Sequence, residues 1–156
     1  MLTRILTFAA ALPLLAACQA GEQAAPQPES EAAMPTFALT GAWCRPTPNG
    51  ARAGACYVTL SSAGRDDRLV GVTTPAAGVV MIHQMSTDNG VMRMSEMEAG
   101  LPLPADTTVT LEPGGTHLML MQLNGPLVRG ATVPLTLDFE VAPDVTVEAQ
   151  VRPPAN

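Results

Sequence analysis

The sequence has no lysine. Its eight basic residues are all arginine, set against fourteen Asp and Glu, and the formal net charge is −6. No stretch gathers the arginines into a patch. That excludes a nucleic-acid groove, which needs a basic face. Aromatic residues make up only 3% of the chain, so the expected core is Val, Leu, Met and Ala. There are just two His and three Cys. No Ser/His/Asp, Cys/His or paired-carboxylate constellation is present to support catalysis, and the chain does not read as an enzyme. Long apolar runs are missing too: residues 5–15 are too few for a settled transmembrane helix.

That short run reads better as part of a targeting segment. Residues 1–18 form a lipoprotein-type signal peptide, with Arg4 before the apolar run and Leu15-Ala16-Ala17-Cys18 after it. The tetrapeptide resembles the bacterial lipobox, in which the Cys is acylated and becomes the first mature residue. Ordinary cleavage after Ala20, releasing a soluble periplasmic protein, is the alternative. Either way the expectation is export to the periplasm, with Cys18 as the lipidation site in the first reading and the membrane touched only through that anchor. Residues 19–35, rich in Ala, Pro, Glu and Gln, read as a flexible tether. Residues 36–156 remain as one domain long enough to bury a core.

Within that domain the pattern is β throughout. Period-2 alternation recurs between Gly, Pro, Asn and Asp breaks, and no long segment shows a helical period. Strands are predicted at 37–45, 55–61, 68–74, 78–86, 91–96, 107–112, 117–123, 132–139 and 146–152. About nine short strands imply an all-β fold, a two-sheet sandwich or Greek-key barrel. Trp43 is the one large anchor, expected to be buried. Residues 99–106 contain Gly100, Pro102 and Pro104 and read as a loop, since Pro is excluded from a central strand.

What the chain does have is methionine, and it is clustered. Seven of nine Met and both His fall within residues 81–121. Gap-filling Met would scatter through a core. Thioether and imidazole together suit a soft ion, Cu(I) first. Asp88-Asn89-Gly90 carries the Asn-Gly signal of a type I′ hairpin. With Asn89 and Gly90 at its centre, Met85 faces Met94, Thr87 faces Met92 and His83 faces Glu96. Residues opposite one another share a sheet face, so His83, Met85, Met92 and Met94 project together. Met97, Gln84 and Arg93 project the other way. Glu112-Pro113-Gly114-Gly115 is a second turn. Beyond it, His117, Met119 and Met121 share one face by the same period. Whether the two faces meet stays open. An isolated Met on a strand is usually core, and the joint presence of both His is what favours a metal site. Cys44 and Cys56, with eleven residues between them and outside the cluster, are most simply a disulfide in an oxidising compartment, worth about 3 kcal/mol. Thiolate metal ligands or a redox pair are the competing readings.

These residues resemble the PCu(A)C family of periplasmic copper chaperones. The resemblance rests on Ile82-His83-Gln84-Met85, Asn89-Gly90-Val91-Met92-Arg93-Met94, Leu111-Glu112-Pro113-Gly114-Gly115-Thr116-His117-Leu118-Met119-Leu120-Met121 and Val133-Pro134-Leu135-Thr136-Leu137, and spans about residues 42–152. The family motif is a His, ten residues, a Met, about twenty-one residues, then His-x-Met. Here ten residues separate His83 from Met94 and twenty-two separate Met94 from His117, the extra one falling within 95–100. The resemblance implies a cupredoxin-like Greek-key β-sandwich holding Cu(I) through His83, Met94, His117 and Met119. Met85 is the family's optional fifth ligand, and Met92 and Met121 are additional candidates. It implies a carrier that hands copper toward the cytochrome c oxidase copper centre, its partner a copper-accepting oxidase subunit or a Sco-type thiol protein. The alternative function is a lipid-anchored structural or protein-binding β-domain with the Met face as an interaction patch.

Overall fold

The computed structural model describes residues 35–154. The signal peptide, the lipidation site Cys18 and the tether lie outside the described residues, apart from Pro35. That residue is fully buried, so the last position assigned to the tether packs into the domain.

The described residues form ten strands and no helix: β1 (Thr36–Cys44), β2 (Ala53–Ala63), β3 (Asp67–Thr73), β4 (Ala77–Asp88), β5 (Val91–Glu96), β6 (Leu101–Leu103), β7 (Thr108–Thr110), β8 (His117–Leu123), β9 (Thr132–Phe139) and β10 (Val145–Val151). They hydrogen-bond in the order β5-β4-β8-β2-β1-β10-β9-β3-β6, with β7 also paired to β2. The sheet wraps around one core. Ile82, Leu118 and Leu120 from one half and Leu69, Leu135 and Leu137 from the other belong to a single buried cluster. The result is an all-β sandwich, its inward positions alternating with outward ones as in β9, where Val133, Leu135, Leu137 and Phe139 are buried.

The core corrects one expectation. It is built from Leu and Val with little Met. Of the methionines in 81–121, only Met97 is among the side chains packed against the cluster of described residues. The tenth strand is a second correction. β6 lies inside the segment read as a loop, and it pairs only with β3 at the end of the sheet. Pro102 is tolerated there because an edge strand leaves one side of its backbone unpaired.

β1 carries the device that sorts its side chains. Its pairing with β2 shifts between Thr40 and Trp43, so Gly41 and Ala42 together oppose Val58. Gly41 has φ 62°, the left-handed conformation of a bulge. An unshifted ladder would set Trp43 opposite Cys56, facing the core, and send Cys44 outward. With the bulge, Cys44 lies directly opposite Cys56, and the two form a disulfide across a Cα–Cα distance of 4.0 Å. Both cysteines are fully buried in the core cluster. Trp43 is left on the other face, buried beside Tyr57 with ring centroids 4.5 Å apart.

A Cβ added at Gly41 meets nothing within 4 Å, so substitution there tests the backbone alone. Gly41→Ala should lose about 1–2 kcal/mol, the cost of a left-handed L-residue. In urea unfolding this appears as a lower midpoint at unchanged slope. An unchanged midpoint contradicts the role given to the bulge.

Candidate metal site

The site is built by two pairings of β4. Toward β5, the Asn89-Gly90 turn (φ 49° and 80°) sets the ladder: Met85 opposes Met94, Thr87 opposes Met92 and His83 opposes Glu96. Toward β8, His83 opposes His117, Met81 opposes Met119 and Val79 opposes Met121. The second turn delivers β8 in this register. Gly115 N–H donates to Glu112 C=O at 3.1 Å, and Met85 N–H donates to Gly115 C=O at 3.3 Å. Gly114 takes φ 85°, which with Pro113 before it is the requirement of a type II turn.

Both His and six of the seven methionines therefore share one face of three adjacent strands. His83 touches Met94 and faces His117, Met85 lies opposite Met94, and Met119 follows His117 along β8, opposite Met81. Met92 lies at the exposed hairpin end and Met121 at the opposite end, one step past Met119. Met97 is on the other face, its N–H donating to Ile82 C=O at 2.8 Å. Only after Met97 does the chain leave register, through a turn closed by Gly100 N–H on Met97 C=O at 2.8 Å.

Two side-chain contacts define the centre. His83 Nδ1 lies 3.1 Å from Met94 Sδ. His117 Nδ1 lies 3.2 Å from the Gly115 carbonyl oxygen. A carbonyl only accepts, so this contact places the proton on Nδ1 and leaves the Nε2 lone pair free, as a metal-binding imidazole requires. The two rings stand edge to face, centroids 6.0 Å apart. Exposure is uneven: His117 is 7% exposed and Met94 50%. Among the described residues, no three His, Cys, Asp or Glu side chains converge in a way that could hold an ion. The donor set on this face is thus two imidazoles among thioethers, the chemistry of a soft monovalent ion.

The cysteines stand apart from it. Cys56 opposes Leu118 on β8, whose side chain points inward, whereas His117 and Met119 point outward. Bonded to each other and facing the core, Cys44 and Cys56 are neither thiolate ligands of this site nor an open dithiol.

Two neighbours were not singled out from the sequence. Met81 sits directly opposite Met119; the period-2 rule applied two residues ahead of His83 would have found it. Tyr57 had no local signal. It stands between Trp43 and His117, its ring 6.4 Å from the imidazole. Arg152 lies 4.7 Å over the Trp43 ring. This aromatic row flanks His117 on the same face, from the neighbouring strands β2 and β1. Burial raises the Tyr57 pKa above 10.0, partly opposed by the Arg45 cation.

Tyr57 is the only tyrosine, so phenolate absorbance reads it directly. Its midpoint should lie above 10.0, the ordinary phenol value. The unfolded chain loses this proton first as pH rises. The stability tied to the neutral phenol is therefore full below pH 10 and lost between there and the raised folded value. A midpoint at or below the ordinary value contradicts the buried placement.

Residues 37–151 match the family model described as "Putative lipoprotein LpqE-like". A solved structure of the copper-bound PCuAC domain from PmoF2 is similar over 78% of this chain and 97% of that domain, at TM-score 0.65 and 27% identity. The solution structure of CuI-DR1885 from Deinococcus radiodurans is similar over 88% of this chain and 85% of that one, at TM-score 0.59 and 33% identity. "Putative lipoprotein Lxx21020" of Leifsonia xyli is 36% identical over 101 residues, 65% of this chain. The chain spans 60% of the length of that relative.

Proposed function

This chain belongs to the LpqE-like family, with the fold of the PCuAC domains, and from that premise we propose that it is an exported Cu(I) carrier. Copper is the cargo, held by His83, Met94, His117 and Met119, while Met85, Met92 and Met121 line the same face outside this set of four. The observation that carries this is the direct opposition of His83 and His117, flanked on the same face by Met94 and Met119.

The ligand chemistry fits carriage. Thioethers and neutral imidazole bind a soft ion without first losing a proton. Among the described residues both cysteines are joined in the disulfide, so no thiolate there holds the ion too tightly or is open to oxidation. One side of the site is open at Met94, so an acceptor's ligands can replace those of the carrier one at a time. Copper enters and leaves as Cu(I) with no catalysed reaction. The acceptor is a copper-receiving subunit of cytochrome c oxidase or a Sco-type thiol protein. Anchorage through Cys18 and the tether would keep the carrier at the membrane face of the periplasm, where such acceptors work. The names of the relatives, which include lipoproteins, support that placement.

Titration with Cu(I) against a competing chelator tests the carrier reading. The wild type should take up copper. His117→Ala combined with Met119→Leu should weaken binding by roughly 100-fold or more, beyond the 10–100-fold that outer partners alone command. No uptake by the wild type, or uptake unchanged in the variant, leaves the Met face as a protein-interaction patch.

A further inference from the structure

The four-ligand set has a closed side and an open side. His117 is buried against Tyr57, and Met119 is half-buried beside Ala55 on β2. Met94 is 50% exposed and Met92 62% exposed. Both lie on β5, the strand that ends the sheet. The buried end of the set is therefore His117, and its solvent-facing end is Met94 on β5.

We infer that Met85, Met92 and Met94 form a three-thioether port through which Cu(I) passes between the buried ligands and an acceptor. The inference rests on the carrier reading above. Met85 and Met94 are directly opposed, about 4.5–5.5 Å apart at Cβ. Met92 is two residues before Met94 on the same face, about 7 Å along the strand. Its diagonal to Met85 is about 7–8 Å. Three rotatable bonds let each thioether swing across such gaps. Met94 belongs to both sets, touching His83 on one side and flanked by Met85 and Met92 on the other.

The passage is a chain of ligand exchanges. The bonds from copper to His117 and Met119 break as bonds to the Met85 and Met92 sulfurs form, while Met94 and its neighbour His83 stay attached. Copper remains monovalent. All the donors are neutral, so no electron or proton moves. An acceptor thiolate or thioether then displaces Met92, the most exposed of the three. Without the port, release must begin from a two- or three-coordinate ion with no replacement ligand at hand.

The test is a split between rate and affinity in Met85→Leu/Met92→Leu, with Met92→Leu alone as companion. Met to Leu conserves volume, and Met92 is too exposed for its loss to unfold the chain. Copper-loaded protein is mixed with excess Cu(I) chelator, and transfer is followed by the absorbance of the chelator complex. Transfer from the double variant should be slower by roughly tenfold or more, and that from the single variant slower in the same direction. Equilibrium affinity should stay within about twofold, because contacts made only during transfer change the rate and leave the resting state as it was. Unchanged transfer rates overturn the port. So does an affinity that falls by the same factor as the rate, which would make Met85 and Met92 resting ligands. A wild type that binds no Cu(I) fails the carrier reading itself, and the port with it.

Discussion

Everything in this molecule that bears on metal depends on one strand pairing, that of β4 with β8, which sets His83 opposite His117. Side chains alternate with a period of two, so a slip of one residue would turn one imidazole into the core and a leucine outward. The register is held from both ends. The Asn89-Gly90 turn aligns β4 with β5, and the Pro113-Gly114 turn starts β8 at His117. The hydrogen bond from His117 to Gly115 then uses the same turn to orient the imidazole. Ligand placement is thus a by-product of turn chemistry and strand pairing, with little demand on the core.

The two faces of these strands have separate duties. The inner face is Leu, Val and Ile, clamped by the Cys44–Cys56 disulfide. The outer face carries the methionines and histidines, backed by the Trp43–Tyr57 row. Methionine contributes little to the core, so its abundance is free to serve the surface. A consequence is that substituting the exposed methionines Met92 and Met94 should cost little stability. Their effects on copper can then be read without the confusion of partial unfolding. Copper itself should stabilise the fold by mass action, in proportion to the logarithm of its free concentration over its dissociation constant.

Local features were legible in the sequence and non-local ones were not. The hairpin register followed from Asn-Gly alone, and the structure adopts the pairs it implies. Every long strand was anticipated to within about two residues, the usual scatter of strand ends. The edge-to-edge pairing of β4 with β8 joins strands some thirty residues apart with no hairpin directly between them; only the resemblance to a known family implied that the two ligand-bearing strands meet. Gly41 looked like an ordinary glycine, because a bulge is visible only once the partner strand is known. β6 was hidden by its proline, whose exclusion from central strands does not extend to the edge. Met81 is legible too, since the alternation that groups Met85 with His83 applies equally two residues earlier. Tyr57 enters the site from a strand remote in sequence and had no signal of its own.

The central claim is that one monovalent copper ion sits among two imidazoles and two thioethers on this outer face. X-ray absorption at the copper edge of the Cu(I)-loaded protein tests it most directly. The account predicts nitrogen and sulfur shells in equal number, with sulfur at thioether distance. A first shell without sulfur, or one dominated by a short thiolate bond, would contradict it.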